Sequence, residues 1–167
     1  MSDAVDESPA EPPRSRLVAI SLDGATIGRS NPNVEHEREV AIYDLIDANH
    51  FALDGRDDGP YTLTLSIAQD RLVLTVGSET VTGGVTFMLS LTPFRRIIKD
   101  YFLVCSTYYE AIRTAPPSRI QAIDMGRRGL HDEGSRLLTE RLAGKVAIDH
   151  DTARRLFTLI CTLHWKG

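Results

Sequence analysis

Three arginine pairs stand out in this chain: Arg95-Arg96, Arg127-Arg128 and Arg154-Arg155. A guanidinium is a planar fork that matches a carboxylate or a phosphate, so arginines converging on a cleft can hold a small anion. Arg95 and Arg96, with Lys99, follow Thr92-Pro93, where a helix should begin. A helix N-terminus presents free N–H groups to anions, while its dipole disfavours cations there. Arg127 and Arg128 lie in DMGRRGLHDEGS, residues 124 to 135. On a helix they would form a polar ridge with His131 and Asp132 at three- and four-residue steps. A further dense segment, GATIGRSNPNVEHERE, supplies Arg29, His36 and Glu37. His131, His36 and Glu37 are the side chains that could serve as general acid or base. Neighbouring helical residues point about 100° apart, so at most one member of each arginine pair would face a shared site. Each cluster has a plainer explanation, which is local ion pairing on a solvated face. For Arg95 and Arg96 the pairing acids would come from the first half of the chain, such as Asp23, Glu35 or Glu37.

Other chemistries lack their signatures. DMGRRGLHDEGS does not match the phosphate-loop pattern, and no strand is expected before it. The segment HERE lacks the second histidine of a zinc-protease helix. Histidines 36, 50, 131, 150 and 164 show no metal-ligand spacing, so no metal and no cofactor are expected. No GxSxG elbow occurs, and Cys105 and Cys161 have no histidine partner in sequence. Nucleophilic catalysis therefore has no positive support.

The elements that must position these residues are written in the hydrophobic pattern. RLVAISLD (16–23) is expected as a strand. Asn31-Pro32 opens a helix over about 32–48, with Val34, Ala41, Ile42, Leu45 and Ile46 on its apolar face. Residues 49–60 form a polar loop. Strict alternation at Tyr61, Leu63, Leu65 and Ile67, then at Leu72, Leu74 and Val76, then at Val85, Phe87, Leu89 and Leu91 predicts an antiparallel meander. GSETVTGG supplies the last of its turns. Thr92 should cap the next helix, with the stripe Phe94, Ile98, Tyr101, Cys105, Tyr108 and Ile112. That helix should end before Pro116-Pro117. A third spans about 118–142, KVAID adds a short strand, and Asp149 or Asp151 caps a last helix.

DMGRRGLHDEGS thus falls inside the third helix. The sevenfold spacing of Ile123, Leu130 and Leu137 places Gly126 and Gly134 inward, with the arginine ridge turned out. Asp124 sits four residues before Arg128, the favourable order for an ion pair. Interior glycines cost roughly 0.5–1 kcal/mol each relative to alanine, so close helix packing should offset them.

The chain has 167 residues and a net charge of −4. Residues 1–92 hold 6 Lys+Arg against 15 Asp+Glu, and residues 93–167 hold 13 against 8. The basic half could attract an acidic partner or a small anion. The start, MSDAVDESPAEPPRS, cannot bury enough apolar area to offset its ordering entropy. Residues 1–15 are therefore expected as a disordered acidic, proline-rich tail and 16–167 as a single α+β domain. No apolar run approaches the roughly 20 residues of a membrane span, and no secretory leader is expected. Two cysteines without pairing motifs suit a reducing cytoplasm. Nucleic acid is not an expected partner.

Four segments together, TIGRSNPNVEHEREVAIYDLI, LSLTPFRRIIKDYF, IQAIDMGRRGLHDEGS and DTARRLFTLICTLHWKG, resemble the uncharacterised protein family 0262, small cytoplasmic proteins of alphaproteobacteria. The resemblance covers residues 16–167. It implies no activity, cofactor or catalytic residue, so the site expectations rest on the residues alone.

The expectation is an α+β fold, an antiparallel β-meander sheet packed by about four helices with a C-terminal helical layer. The leading function is a non-catalytic binding or regulatory module for an acidic protein or small anion, with Arg29, Arg95, Arg96, Lys99, Arg127 and Arg128 as anion contacts. One alternative is a small enzyme acting on a phosphorylated or carboxylated metabolite, with His131, His36 or Glu37 as acid or base. The other is a homo-oligomeric structural protein.

Overall fold

A computed structural model describes residues 14–79 and 84–164. The elements run in the order β1 (Leu17–Leu22), α1 (Gly24–Ile27), α2 (Pro32–Asp47), β2 (Phe51–Leu53), β3 (Tyr61–Ala68), β4 (Arg71–Gly77), β5 (Val85–Ser90), α3 (Arg95–Thr114), α4 (Pro117–Leu142), β6 (Val146–Ile148) and α5 (His150–Leu163). Of the tail expected over 1–15, residues 1–13 lie outside the described residues; Ser15 accepts a hydrogen bond from the Phe51 N–H. The tip of the GSETVTGG turn, 80–83, also lies outside them.

The meander forms as its alternation requires. β3, β4 and β5 pair antiparallel, with Leu63 opposite Val76 and Leu74 opposite Phe87. Tyr61, Leu63, Leu65, Leu72, Leu74 and Val76 are buried on one face, while Thr62 and Thr64 face out. Two features depart from expectation. β1 joins the sheet beside β3 in parallel, giving the order β1-β3-β4-β5 and a mixed sheet. The loop expected over 49–60 contains β2, which pairs antiparallel with β6 in a small second sheet. Asn49 fixes the entry to it. Its amide donates to the carbonyls of Leu17 and Leu45, and its Oδ1 accepts from the Leu17 N–H.

The buried sheet face, Leu45 of α2, Phe94, Ile97 and Ile98 near the start of α3, Leu138 and Leu142 of α4 and most of α5 make one core. α5 lies at its centre. Leu156, Phe157, Leu159, Ile160, Cys161, Thr162 and Leu163 are all buried, while Arg154, Arg155 and Thr158 on its remaining side are only half-buried. It packs against both α2 and α4.

Helix starts are set by local chemistry. Asn31 accepts from the Val34 N–H and Asp149 from the Thr152 N–H, the cap bonds their types predict. Thr92 does not cap α3. A 3-10 turn over Thr92–Phe94 leads into it, and no side chain caps its N-terminus. The α3 stripe also drifts: Phe94 and Ile98 are buried, Tyr101 and Cys105 are half-buried, and Ile112 is exposed.

Helix ends are set at long range. Neither α2 nor α5 has a basic residue in its last turn. Arg38 of α2 donates from Nε to the Thr162 carbonyl at the end of α5, at 3.3 Å. Arg155 of α5 donates to the Ala48 carbonyl at the end of α2, at 2.6 Å. Each helix places a cation against the negative end of the other's dipole.

Candidate functional site

α4 is continuous through DMGRRGLHDEGS, and its inward stripe decides the site. Counting back from the buried Leu142 and Leu138 in helical steps gives Ser135 and Gly134, then His131, Arg127 and Asp124. The stripe is apolar where it meets the core and becomes polar in its N-terminal half. The ridge expected to face outward therefore turns toward α5. Only Gly134 makes a close approach, since a Cβ there would lie 2.2 Å from Cζ of Phe157. At Gly126 a Cβ would meet Val104 at an ordinary 4.0 Å, and at Gly129 it would meet nothing within 4 Å. The expectation that Gly126 turns inward is thus corrected.

Where the stripe turns polar, a cleft of about 400 Å³ opens between α3, α4 and α5. Tyr101, Arg127, Arg128, His131, Arg154, Arg155 and Thr158 line it. Asp124 pairs with Arg127 at 2.5 Å and with Nε of Arg128 at 3.1 Å. The Arg127 guanidinium also lies 4.9 Å from the Tyr108 ring centre, a cation–π distance. Arg154 pairs with Asp132. Arg127, Arg128 and Arg154 thus share two carboxylates and Arg155 pairs with neither, leaving an excess of two positive charges among these six residues. Both members of two arginine pairs line the cleft, which corrects the expectation of at most one from each. The hydrogen bond from Arg127 holds the Asp124 carboxyl below its ordinary range.

His131 lies beside Phe157 and Tyr101, with ring centres 5.3 Å and 5.6 Å away. Its Nε2 is 2.7 Å from Oγ1 of Thr158, whose hydroxyl donates to the Arg154 carbonyl. A hydroxyl that donates there accepts from the ring, which places the imidazole proton on Nε2. Nδ1 is buried with no partner among the described residues. Burial, with Arg154 adding repulsion, pulls the His131 pKa from 6.5 to about 4. The folded chain then binds this proton less readily than the unfolded chain. The stability it contributes is complete above pH 6.5 and is lost as pH falls toward 4. Such a shift is worth about 3 kcal/mol at full burial, and screening at a half-buried ring leaves on the order of 1–2 kcal/mol. Urea titrations of the wild type and His131→Gln should differ by this amount between pH 7 and pH 4. A constant difference across that range would disprove the linkage.

A second groove, about 670 Å³, adjoins the first and shares Tyr101, Arg127 and Thr158 with it. It places His36 and Glu37 of α2 near Cys105 and Cys161. Burial raises both thiols, that of Cys161 the more strongly, so neither is an activated thiolate. Burial likewise raises the Tyr101 hydroxyl.

The remaining candidates lie elsewhere. Arg95 pairs with Asp70, and Arg96 reaches Glu133 of α4 at 3.3 Å with both partners exposed. Lys99 and Arg29 are exposed and line neither cleft. The start of α3 is therefore a paired surface, and its residues do not meet Arg127 and Arg128. Sequence reasoning passed over Tyr101 and Thr158 as site residues, and noted Arg154 and Arg155 only as a pattern. For Arg154 and Thr158 the signal was the step 154, 158, 162 along α5, a polar seam beside the apolar Leu156, Phe157, Leu159 and Ile160.

Comparison with known proteins gives relatives over nearly the full length. The profile described as Uncharacterised protein family (UPF0262) matches residues 14–166. A UPF0262 protein of Nitrobacter hamburgensis is 60% identical over 159 residues, covering 95% of this chain and 97% of its own. One from Rhodopseudomonas palustris strain TIE-1 is 61% identical over 153 residues, covering 92% and 94%. Another, from strain BisA53, is 62% identical over 151 residues, covering 90% and 93%. No solved structure matches the chain.

Proposed function

This chain belongs to the uncharacterised protein family UPF0262, and from its own geometry we propose that it is a binding module for a small phosphate- or carboxylate-bearing anion. One observation carries the reading, the four arginines around the 400 Å³ cleft with two carboxylates between them. Arg127, Arg128, Arg154 and Arg155 are the anion contacts. Tyr101 also lines the cleft, with its hydroxyl kept protonated by burial and hydrogen-bonded with Cys105. A concave site of this size suits a small molecule better than an acidic protein surface. Binding is favoured over turnover, because a histidine held at about 4 is a weak proton acceptor at pH 7. Two free, protonated thiols fit a cytoplasmic location. No helix among the described residues is long and apolar enough to cross a membrane.

Titration calorimetry with inorganic phosphate tests the reading. A charge-assisted hydrogen bond contributes roughly 1.5–3 kcal/mol, so Arg127→Gln with Arg154→Gln should weaken phosphate binding by about tenfold or more. Arg95→Gln with Arg96→Gln should leave it unchanged, since those residues lie outside the cleft. Equal phosphate affinity in all three chains would refute the assignment.

A further inference from the structure

The arginine cleft does not end at its own walls. It adjoins the second groove, and Tyr101, Arg127 and Thr158 line both. Part of that groove's lining is apolar and aromatic, formed by Val34, Phe102, Cys105, Tyr109 and Cys161. Cys105 and Cys161 keep their protons, so they behave there as small apolar side chains. The groove's polar residues on α2 and just before it are Asn31, Asn33, His36 and Glu37. The Glu37 carboxylate lies near enough to Cys105 to push its thiol further up. A carboxylate beside amides suits a hydroxyl or amino group and repels a second anion.

Organic ligands fill pockets of roughly 300–1,000 Å³, lined mainly by apolar and aromatic groups with a few polar anchors. The second groove alone, at about 670 Å³, falls in that range. Arg127 stands at the junction, anchored by Asp124 and stacked on Tyr108, so its guanidinium is held in place between the two spaces.

We propose that the ligand is a bipartite organic anion, with a phosphate or carboxylate held by the arginines and a flat apolar body lying in the Phe102–Cys105–Tyr109 groove. This rests on the anion reading above and adds the chemical class of the ligand. The body is apolar in character, because Val34, Phe102, Cys105, Tyr109 and Cys161 line the groove and Tyr109 is largely exposed there. Its far end carries a hydrogen-bonding group that is not anionic.

The probes are inorganic phosphate and phenyl phosphate, titrated by calorimetry into the full chain. Burying the phenyl ring should make phenyl phosphate bind about tenfold or more tightly than inorganic phosphate. Cys105→Phe fills the groove and should remove that advantage while inorganic phosphate binds as before. Tyr109→Ala, at a position 59% exposed and so tolerant of truncation, should reduce the advantage in the same direction. NMR should show contacts from the phenyl protons to the Phe102 and Tyr109 rings. If both probes bind equally, or if Cys105→Phe and Tyr109→Ala leave the ratio unchanged, the organic body lies elsewhere and the inference fails, while the arginine site stands. If neither probe binds the wild type, the arginine reading fails and takes this one with it.

Discussion

Gly134→Val should remove a large share of the stability of this chain. A Cβ at position 134 would lie 2.2, 2.4 and 2.6 Å from three atoms of the Phe157 ring. That ring is fully buried and has little freedom to yield. It is also fixed edge-on by His131 and Tyr101. Overpacking a close-packed core costs typically 1–3 kcal/mol and sometimes more. Valine adds two methyls beyond the one that already overlaps, so on the order of 3–5 kcal/mol is expected, against a total of roughly 5–15 for a domain. Better helix propensity offsets less than about 1 kcal/mol. Gly129 is the control. A Cβ there meets nothing, so Gly129→Ala should stabilise by about 0.5–1 kcal/mol. Urea denaturation followed by circular dichroism measures both. A Gly134→Val chain as stable as the wild type would show that α4 and α5 are not in close contact here.

The second large effect belongs to Arg38. Its side chain is 4% exposed, yet it is not part of either cleft. It donates to the carbonyls of Thr162 and Gly28, at 3.3 and 3.0 Å, and pairs with Glu35 at 3.4 Å. Arg38→Met keeps much of the buried stem but strips these acceptors of their donor. Each buried acceptor left unsatisfied costs about 1–3 kcal/mol, so a loss of about 2–4 kcal/mol is expected. Arg38→Lys should recover little, since one ammonium cannot span the positions that the fork reaches. Thermal melts of the two variants compare them directly. A wild-type Tm in Arg38→Met would mean that the two carbonyls find other donors.

Both residues show what a sequence conceals. Arg38 occupies the stripe Val34, Arg38, Ala41, Leu45, so its inward position was open to reading. Its partner 124 residues away was not, because no local pattern encodes where the end of α5 will lie. On α4 the choice of frame was decisive. Ile123, Leu130 and Leu137 suggested one inward face, yet each is only half-buried. The frame of Leu138 and Leu142 turns Arg127 and His131 inward and brings Arg154 and Thr158 against them. The meander and the caps at Asn31 and Asp149 were legible because two-residue alternation and cap bonds are local facts. The parallel pairing of β1 and the three-residue β2 depend on strands far along the chain. The placing of the α3 arginines outside both clefts was hidden for a similar reason. Asp70 and Glu133, which pair with them, come from a different turn and a different helix.

The exchange of arginines between α2 and α5 has one more consequence. Each helix writes its own beginning, through Asn31 and Asp149, but borrows its ending from the other. A fragment carrying only one of them would start in the right place and fray at its last turn. The two ends can settle only together, so the first and last thirds of the chain are bound into one cooperative act, and a permuted or split version that delays their meeting would leave both helices unfinished.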